Sequence, residues 1–340
     1  MRSVILVGGL GTRMRPLTYE TPKQMLPLVG VAMIERVLAR LHGFGVTDAV
    51  LALGYLPDQF IQAYPDNVIA GVRVTYAVEP EPLDTAGAIR FAACAASIDE
   101  TFLVVNGDVV SNLDVSRLVA FHREHGALAT LALHPVNDPS HYGVVPTDGD
   151  GRVLAFVEKP PRDEAPTNLI NAGTYVMEPA VLDRIAPDVR VSVERTVFPA
   201  LAEAGRLFAL ADVAYWIDAG TPRSYLRVNA DLLVGRVGPP LATEPTDSWV
   251  HPRAAVEPDV ALERAVVDRD CYVGAGAILI DVVMLPGAVV EQGAVVRSTI
   301  LGPGAVVGGY STLGELCVVG ANQHVAPGSV LAGDVRLGGV

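Results

Sequence analysis

Lysine is almost missing from this chain of 340 residues: Lys23 and Lys159 are the only two, against 23 arginines. Such a bias leaves arginine wherever a generic positive charge suffices. The two lysines then mark places where a wide planar guanidinium does not fit and a compact point charge does. Cysteine is also scarce. Cys94, Cys271 and Cys317 make an odd set with no CxxC pair, which excludes a disulfide-stapled fold and a zinc knuckle and points to a reduced, cytoplasmic chain. The seven histidines show no ligand spacing. No run of eighteen uncharged apolar residues occurs, so no membrane span is expected. The first sixteen residues, MRSVILVGGLGTRMRP, are too glycine-rich and too short in their apolar part for a signal peptide. Basic excess is lacking too. A net charge of −13 argues against nucleic acid as a partner, while leaving room for a small phosphate ester held by a few well-placed cations.

Half of the residues are hydrophobic, and the length suggests two domains. Up to residue 235, strand-like and helix-like patterns alternate. Residues 3–7 form a short apolar run ending in glycine. Apolar positions at Ile34, Val37, Leu38, Leu41 and Phe44 predict a helix over 33–45. Strands are expected at 46–53, 72–78 and 101–105, and a helix at 86–96. Alternation of this kind predicts an α/β domain, a Rossmann-like mixed but mostly parallel sheet flanked by helices, with ligands at the carboxyl ends of the strands. Residues 236–249 read as a linker. Beyond it, Leu301, Val307, Leu313, Val319, Val325 and Leu331 recur every sixth residue. Mostly small residues follow four places later, at Ala305, Ser311, Cys317, Gln323 and Ser329. Two earlier registers run through Val267, Val273 and Leu279, and through Met284, Val290 and Val296. A period of six is the hexapeptide signature of a parallel β-helix, expected here over 250–340 with roughly four to five coils at about 18 residues each.

The first strand runs into Gly8-Gly9-Leu10-Gly11-Thr12-Arg13-Met14-Arg15-Pro16-Leu17-Thr18. A glycine-rich loop in that place presents backbone N–H groups to phosphate oxygens. It lacks the Gly-Lys-Ser/Thr of a Walker A loop, and Met14 occupies the third glycine position of a dinucleotide fingerprint. Read alone, the glycines fit a tight turn equally well; Arg13, Arg15 and Lys23 shift the reading towards a triphosphate. Asn106-Gly107-Asp108 ends an apolar strand, and Asp218 precedes a glycine turn. Each aspartate could serve a hard cation, or a turn in the first case and a helix N-cap in the second.

The loop and the following Thr21-Pro22-Lys23 resemble the GGxGTRLxPLT…PK signature of the sugar-1-phosphate nucleotidyltransferases. The resemblance is to the mannose-1-phosphate guanylyltransferase-like branch with a C-terminal left-handed β-helix, and it covers essentially the whole chain. Met14 departs from the usual leucine, and Gln24 from a common proline. The resemblance implies that Leu6, Gly8, Gly9, Gly11, Thr12, Arg13 and Gly107 bind the nucleotide, with Lys23 near its phosphates. It implies that Asp108 and Asp218 hold the catalytic Mg²⁺. Glu158-Lys159-Pro160 matches the EKP motif, the glutamate on sugar hydroxyls and the lysine on the sugar phosphate. Asn171, Gly173 and Gly143 would line the sugar pocket. Residues 79–87, through Glu79, Thr85, Ala86 and Gly87, resemble the EPxPLGTAGA segment that reads the base. A carboxylate there can accept two hydrogen bonds from guanine. Asp84 stands where that segment has glycine, and loses glycine's ease with a positive φ.

The implied activity joins a nucleoside triphosphate to a sugar 1-phosphate and releases pyrophosphate, GTP and mannose 1-phosphate foremost. Glucose 1-phosphate with a thymidylyl or adenylyl donor, or an unusual sugar or cyclitol phosphate with GTP, are alternatives. Arg13, Lys23, Asp108, Lys159 and Asp218 are all present, which disfavours a non-catalytic regulatory relative. An acyltransferase role for the β-helix would need a histidine base, for which only His251 and His324 are candidates. The open ends of a β-helix further predict a homo-oligomer, a dimer or tetramer.

Overall fold

The computed structural model describes residues 1–237 and 246–339. The proline-rich middle of the expected linker, residues 238–245, lies outside the described residues. The chain divides into two compact units, Met1–Gly9 with Val37–Trp216, and Leu10–Arg36 with Ile217–Val340.

The first unit is built on a ten-stranded mixed sheet. Its centre is the parallel run of Phe102–Asn106, Arg2–Leu6, Asp48–Leu53 and Val72–Val78. Val4 and Ile5 of Arg2–Leu6 are fully buried, which is why that strand reads as continuous rather than alternating hydrophobicity. The helix Asp84–Ala95 covers one face with Ala86, Ile89, Ala92 and Ala93. Beyond Phe102–Asn106 the sheet turns antiparallel through Leu169–Met177, which also pairs with Ala129–Pro135. The expected strands and helices are present with ends shifted by one or two residues: 46–53 is Asp48–Leu53, 33–45 is Met33–Gly43 and 86–96 is Asp84–Ala95.

The second unit contains the parallel β-helix. Its faces are ladders of short parallel strands; one of them stacks five, beginning with Ala255–Val256 and ending with His324–Val325. Registers explain the interrupted hexapeptide count. Ala255 lies beside Tyr272, and Tyr272 beside Val289, seventeen residues on each time. Val306 lies beside His324, eighteen on. The early coils are therefore one residue short of three hexapeptides, so the aliphatic register slips once per coil until Leu301. All the aliphatic positions from Val267 to Val319 are fully buried, and so are Ala265, Ala277, Ala288, Ala294 and Ala305 at the small positions. Cys271 and Cys317 fill the same kind of place, and burial pushes the Cys271 thiol up to about 12, so it is packing rather than chemistry.

Two segments join the β-helix within this unit. The helix Pro222–Leu233 packs on the strands Ile278–Met284 and Val295–Leu301. Residues 10–36 are fastened to that helix: Asn229 Oδ1 accepts from the Val29 N–H at 2.8 Å, and the Tyr225 hydroxyl donates to the Pro27 carbonyl.

Candidate active site

In the first unit, the carboxyl ends of the parallel strands gather a group of backbone and acidic positions. The Gly107 N–H donates to the Leu6 carbonyl at 3.0 Å, and the Glu79 N–H to the Leu53 carbonyl at 2.8 Å. Gly8 approaches Gly54 so closely that a Cβ on Gly8 would lie 3.2 Å from the Gly54 nitrogen and 3.4 Å from Glu79 Oε1. Leu6, Gly8, Glu79 and Gly107 are thus brought together. Glu79 Oε2 accepts from the Leu83 N–H at 2.9 Å. Burial raises the Glu79 carboxyl above its ordinary range, opposed by that hydrogen bond and assisted by the nearby charge of Asp84.

Asp84 keeps the geometry that glycine would give. Its φ is +59°, a region where aspartate is enriched among non-glycine residues, and its Oδ1 accepts from the Thr85 N–H at 2.8 Å. Thr85, one of the residues expected at the nucleotide, ties the loop down. Its hydroxyl donates to Glu194 Oε2 at 2.7 Å and accepts from the Val193 N–H at 2.8 Å. Ala86 is buried in the core. A Cβ on Gly87 would lie 2.7 Å from the Leu83 Cβ and 2.8 Å from the Val189 carbonyl, so packing already requires glycine there. Glu194 is a brace that no local pattern marks, since its partner is 109 residues away.

The residues expected on the sugar side lie in the same unit. Gly143 pairs with Glu158 across two antiparallel strands. A Cβ on Gly143 would come within 2.5 Å of the Phe156 ring and 3.1 Å of Glu158 Oε2. Lys159 follows in a left-handed conformation, φ +50°, with its N–H on the Tyr142 carbonyl at 3.0 Å and Nζ 3.1 Å from Glu158 Oε1. Asn171 Oδ1 accepts from the Gly173 N–H at 3.0 Å, and Nδ2 donates to the Tyr175 hydroxyl at 2.9 Å. Gly173, at φ +70°, leaves room for Asn106, whose Nδ2 a Cβ would meet at 2.7 Å. Trp216 Nε1 donates to the Ala172 carbonyl at 2.9 Å, and its ring meets Tyr142 edge-on and stacks on His134. The sequence contains two tryptophans, and the position of this one beside the Asp218 motif was a signal that the motif reading did not use. Asp108 is nearly buried just past Asn106.

The second unit holds Gly11, Thr12, Arg13, Lys23 and Asp218. Gly11 has φ +62° and precedes a 3₁₀ turn over Thr12–Met14. The Thr18 hydroxyl donates to the Gly11 carbonyl at 2.8 Å, and Met14 is fully buried, so methionine anchors the turn at the position where the resembled signature has leucine. Lys23 opens a second short turn, Lys23–Met25. Asp218 is not a helix cap: Thr221 caps Pro222–Leu233 through a reciprocal bond with Ser224. Asp218 Oδ1 accepts from the Gly220 N–H at 2.7 Å, and Oδ2 lies 3.3 Å from Arg13 Nη2. His251 has its Nδ1 occupied by the Arg253 N–H at 3.0 Å.

Among the described residues, no group of three or more His, Cys, Asp or Glu forms a metal cage. A Mg²⁺ ion does not need one, because it keeps waters and takes one or two carboxylates together with substrate phosphates. Each expected ligand offers hard oxygens of that kind, Asp108 in the first unit and Asp218 in the second, where its Oδ2 faces the Arg13 guanidinium.

Comparison with known proteins identifies the family. Residues 2–234 match the nucleotidyl transferase family profile, and residues 245–337 match the GMPPB C-terminal domain. The chain is 41% identical to the mannose-1-phosphate guanylyltransferase of Mycobacterium tuberculosis over 86% of its length and 81% of the relative's. It is 33% identical to mannose-1-phosphate guanylyltransferase 1 of Arabidopsis thaliana, covering 96% of this chain and 92% of that one. Among solved structures, HddC from Yersinia pseudotuberculosis complexed with GMP-PN superposes with a TM-score of 0.57 at 29% identity, over 67% of this chain and 97% of the other. The chain belongs to the nucleotidyl transferase family, and carries behind that domain the GMPPB C-terminal domain.

Proposed function

We propose that this protein transfers a guanylyl group from GTP to mannose 1-phosphate, giving GDP-mannose and pyrophosphate. The observation that carries the choice of base is Glu79, a half-buried carboxylate set beside the backbone of Gly8 and Gly54. Its two oxygens suit the ring N–H and amino group of guanine, where an amide would suit a pyrimidine better. The relatives named mannose-1-phosphate guanylyltransferase support the choice of acceptor.

In this reading an oxygen of the sugar phosphate attacks the α-phosphorus, and the bond from that phosphorus to the bridging oxygen breaks as pyrophosphate leaves. Gly8, Gly9, Gly11, Thr12 and Arg13 hold the triphosphate, with Lys23 close to it. Leu6, Gly107 and the segment of Thr85, Ala86 and Gly87 shape the nucleoside pocket. Glu158, Asn171, Gly143 and Gly173 orient the sugar, and Lys159 places one ammonium against its phosphate. Asp108 and Asp218 would hold Mg²⁺, which screens the repulsion between the two polyanions and stabilises charge at the reacting phosphorus. Arg13 would leave Asp218 for the phosphates when the ion is present. The catalytic part spans 1–235 and the β-helix 250–340, in a cytoplasmic homo-oligomer.

The test is a grid of nucleoside triphosphates against sugar 1-phosphates, scored by pyrophosphate release. The highest turnover is expected with GTP and mannose 1-phosphate, and none after chelation until Mg²⁺ is restored. Preference for dTTP or ATP with glucose 1-phosphate, or no release from any pair, would overturn the proposal.

A further inference from the structure

The last coil of the β-helix meets the phosphate loop within one unit. Arg336 lies on the strand Arg336–Leu337, in register with Val318 and Val319 of the coil before. Its Nη1 donates to the Arg15 carbonyl at 3.2 Å and to the Arg13 carbonyl at 3.4 Å. Its Nε is fixed by Asp334 Oδ1 at 2.7 Å. These two carbonyls close the 3₁₀ turn Thr12–Met14, whose backbone and Arg13 side chain the proposed function puts on the triphosphate. Carbonyls at the end of a turn have no partner inside it and take a cation well.

The same coil makes a seat for Pro16. A Cβ on Gly320 would lie 3.1 Å from both the Pro16 Cβ and Cγ, and one on Gly338 3.1 Å from the Pro16 Cβ. Gly338 also sits at φ +125°, where a side chain is strained as well as crowded. The loop is therefore held from within by Thr18 on the Gly11 carbonyl and from outside by Arg336 and the glycine seat. Asp334 completes the arrangement, because a guanidinium pinned at Nε spends less side-chain entropy on reaching the two carbonyls.

We propose that Arg336 is a positioning residue for the triphosphate loop, and that the terminal β-helix coil thereby sets the enzyme's affinity for its nucleotide. The inference rests on the proposed nucleotidyl transfer for its kinetic readout and on geometry alone for its structural one. Both are measured on the full chain, as wild type, Arg336→Ala and Arg336→Lys. Hydrogen exchange is followed by mass spectrometry at the amides of Met14, Arg15 and Leu17, which donate to carbonyls of this loop, with strand Phe102–Asn106 as reference. Arg336→Ala should speed exchange in the loop and leave the reference unchanged. In kinetics it should raise the KM for the nucleotide about tenfold, the weight of a lost charged hydrogen bond, with little change in the KM for the sugar phosphate. Arg336→Lys, which can still donate to one carbonyl, should recover part of both effects. Unchanged loop exchange in Arg336→Ala overturns the proposal. So does faster exchange with an unchanged nucleotide KM, or equal losses for both substrates. If the wild type releases no pyrophosphate from any substrate pair, the functional reading fails instead, and the exchange measurement still decides the role of Arg336.

Discussion

At the scale of single residues, Glu79 and Lys159 pose two separable questions. Burial holds the folded pKa of Glu79 above its unfolded value. Below the unfolded value the residue is protonated in both states and has no effect; as pH rises through the folded value, the buried charge subtracts its full penalty from stability. Guanine would offset that penalty with two donors. Glu79→Gln should therefore raise the thermal midpoint of the nucleotide-free protein at pH 7, with the difference fading towards pH 4, while raising the KM for GTP. A lower midpoint at pH 7 with GTP binding intact would show that the carboxylate is structural. Lys159 keeps its ammonium 3.1 Å from Glu158 Oε1 while its backbone holds φ +50°. Lys159→Arg preserves the charge, but a planar fork displaces the acceptor phosphate by about an ångström, enough for roughly a hundredfold loss of rate. Arg117→Lys, exposed on the helix Val115–His125, should be neutral in the same assay. Wild-type turnover by Lys159→Arg would make the scarcity of lysine accidental.

At the scale of elements, the sequence pattern carried the strands and helices of the first unit because each buries a local apolar period. It carried the β-helix because period six is incompatible with a helix or an isolated strand. It did not carry the slip of register: whether a coil holds seventeen or eighteen residues depends on where one turn is shortened, and the aliphatic positions look the same on both sides of it. Nor did it carry Glu194 behind Thr85 or Arg336 behind Arg13, because those pairs are 109 and 323 residues apart and neither has a local spacing. Gly143 and Gly87 stand as glycines within the motifs, and Phe156 and Val189 supply a packing reason for glycine that a motif does not contain. The interior rungs make a direct prediction. Leu301 is fully buried where the register changes, between coils of seventeen and eighteen residues. Leu301→Ala should cost roughly 2–5 kcal/mol of stability, transfer and cavity terms together, read as a lower denaturation midpoint. A loss well under 1 kcal/mol would mean that the coil closes over the gap.

At the scale of the whole molecule, the ladders of the β-helix end, among the described residues, in strands paired on one side only. Strands Trp249–Val250 and Ala255–Val256 end their ladders, each bonded to one neighbouring coil. Val250 and Val256 there are more than a third exposed, and Val330 near the other end is 75% exposed. Unpaired parallel edges with aliphatic side chains are templates for association unless something covers them. The charge works the other way: at −13 per chain, two copies repel over distances comparable to the Debye length. An apolar, edge-to-edge contact should therefore tighten as salt is added, where an interface built on ion pairs would loosen. Light scattering at micromolar concentration should give about two or four times the chain mass of 35.8 kDa, with the larger species favoured from low to moderate salt. Val250→Asp combined with Val256→Asp puts two charges on the first-coil edge without touching any residue assigned to substrates, and should shift the population towards monomer while nucleotide binding persists. A strictly monomeric wild type at every salt concentration would show that these edges are tolerated in water, and an oligomer indifferent to the double variant would move the interface away from the first coil.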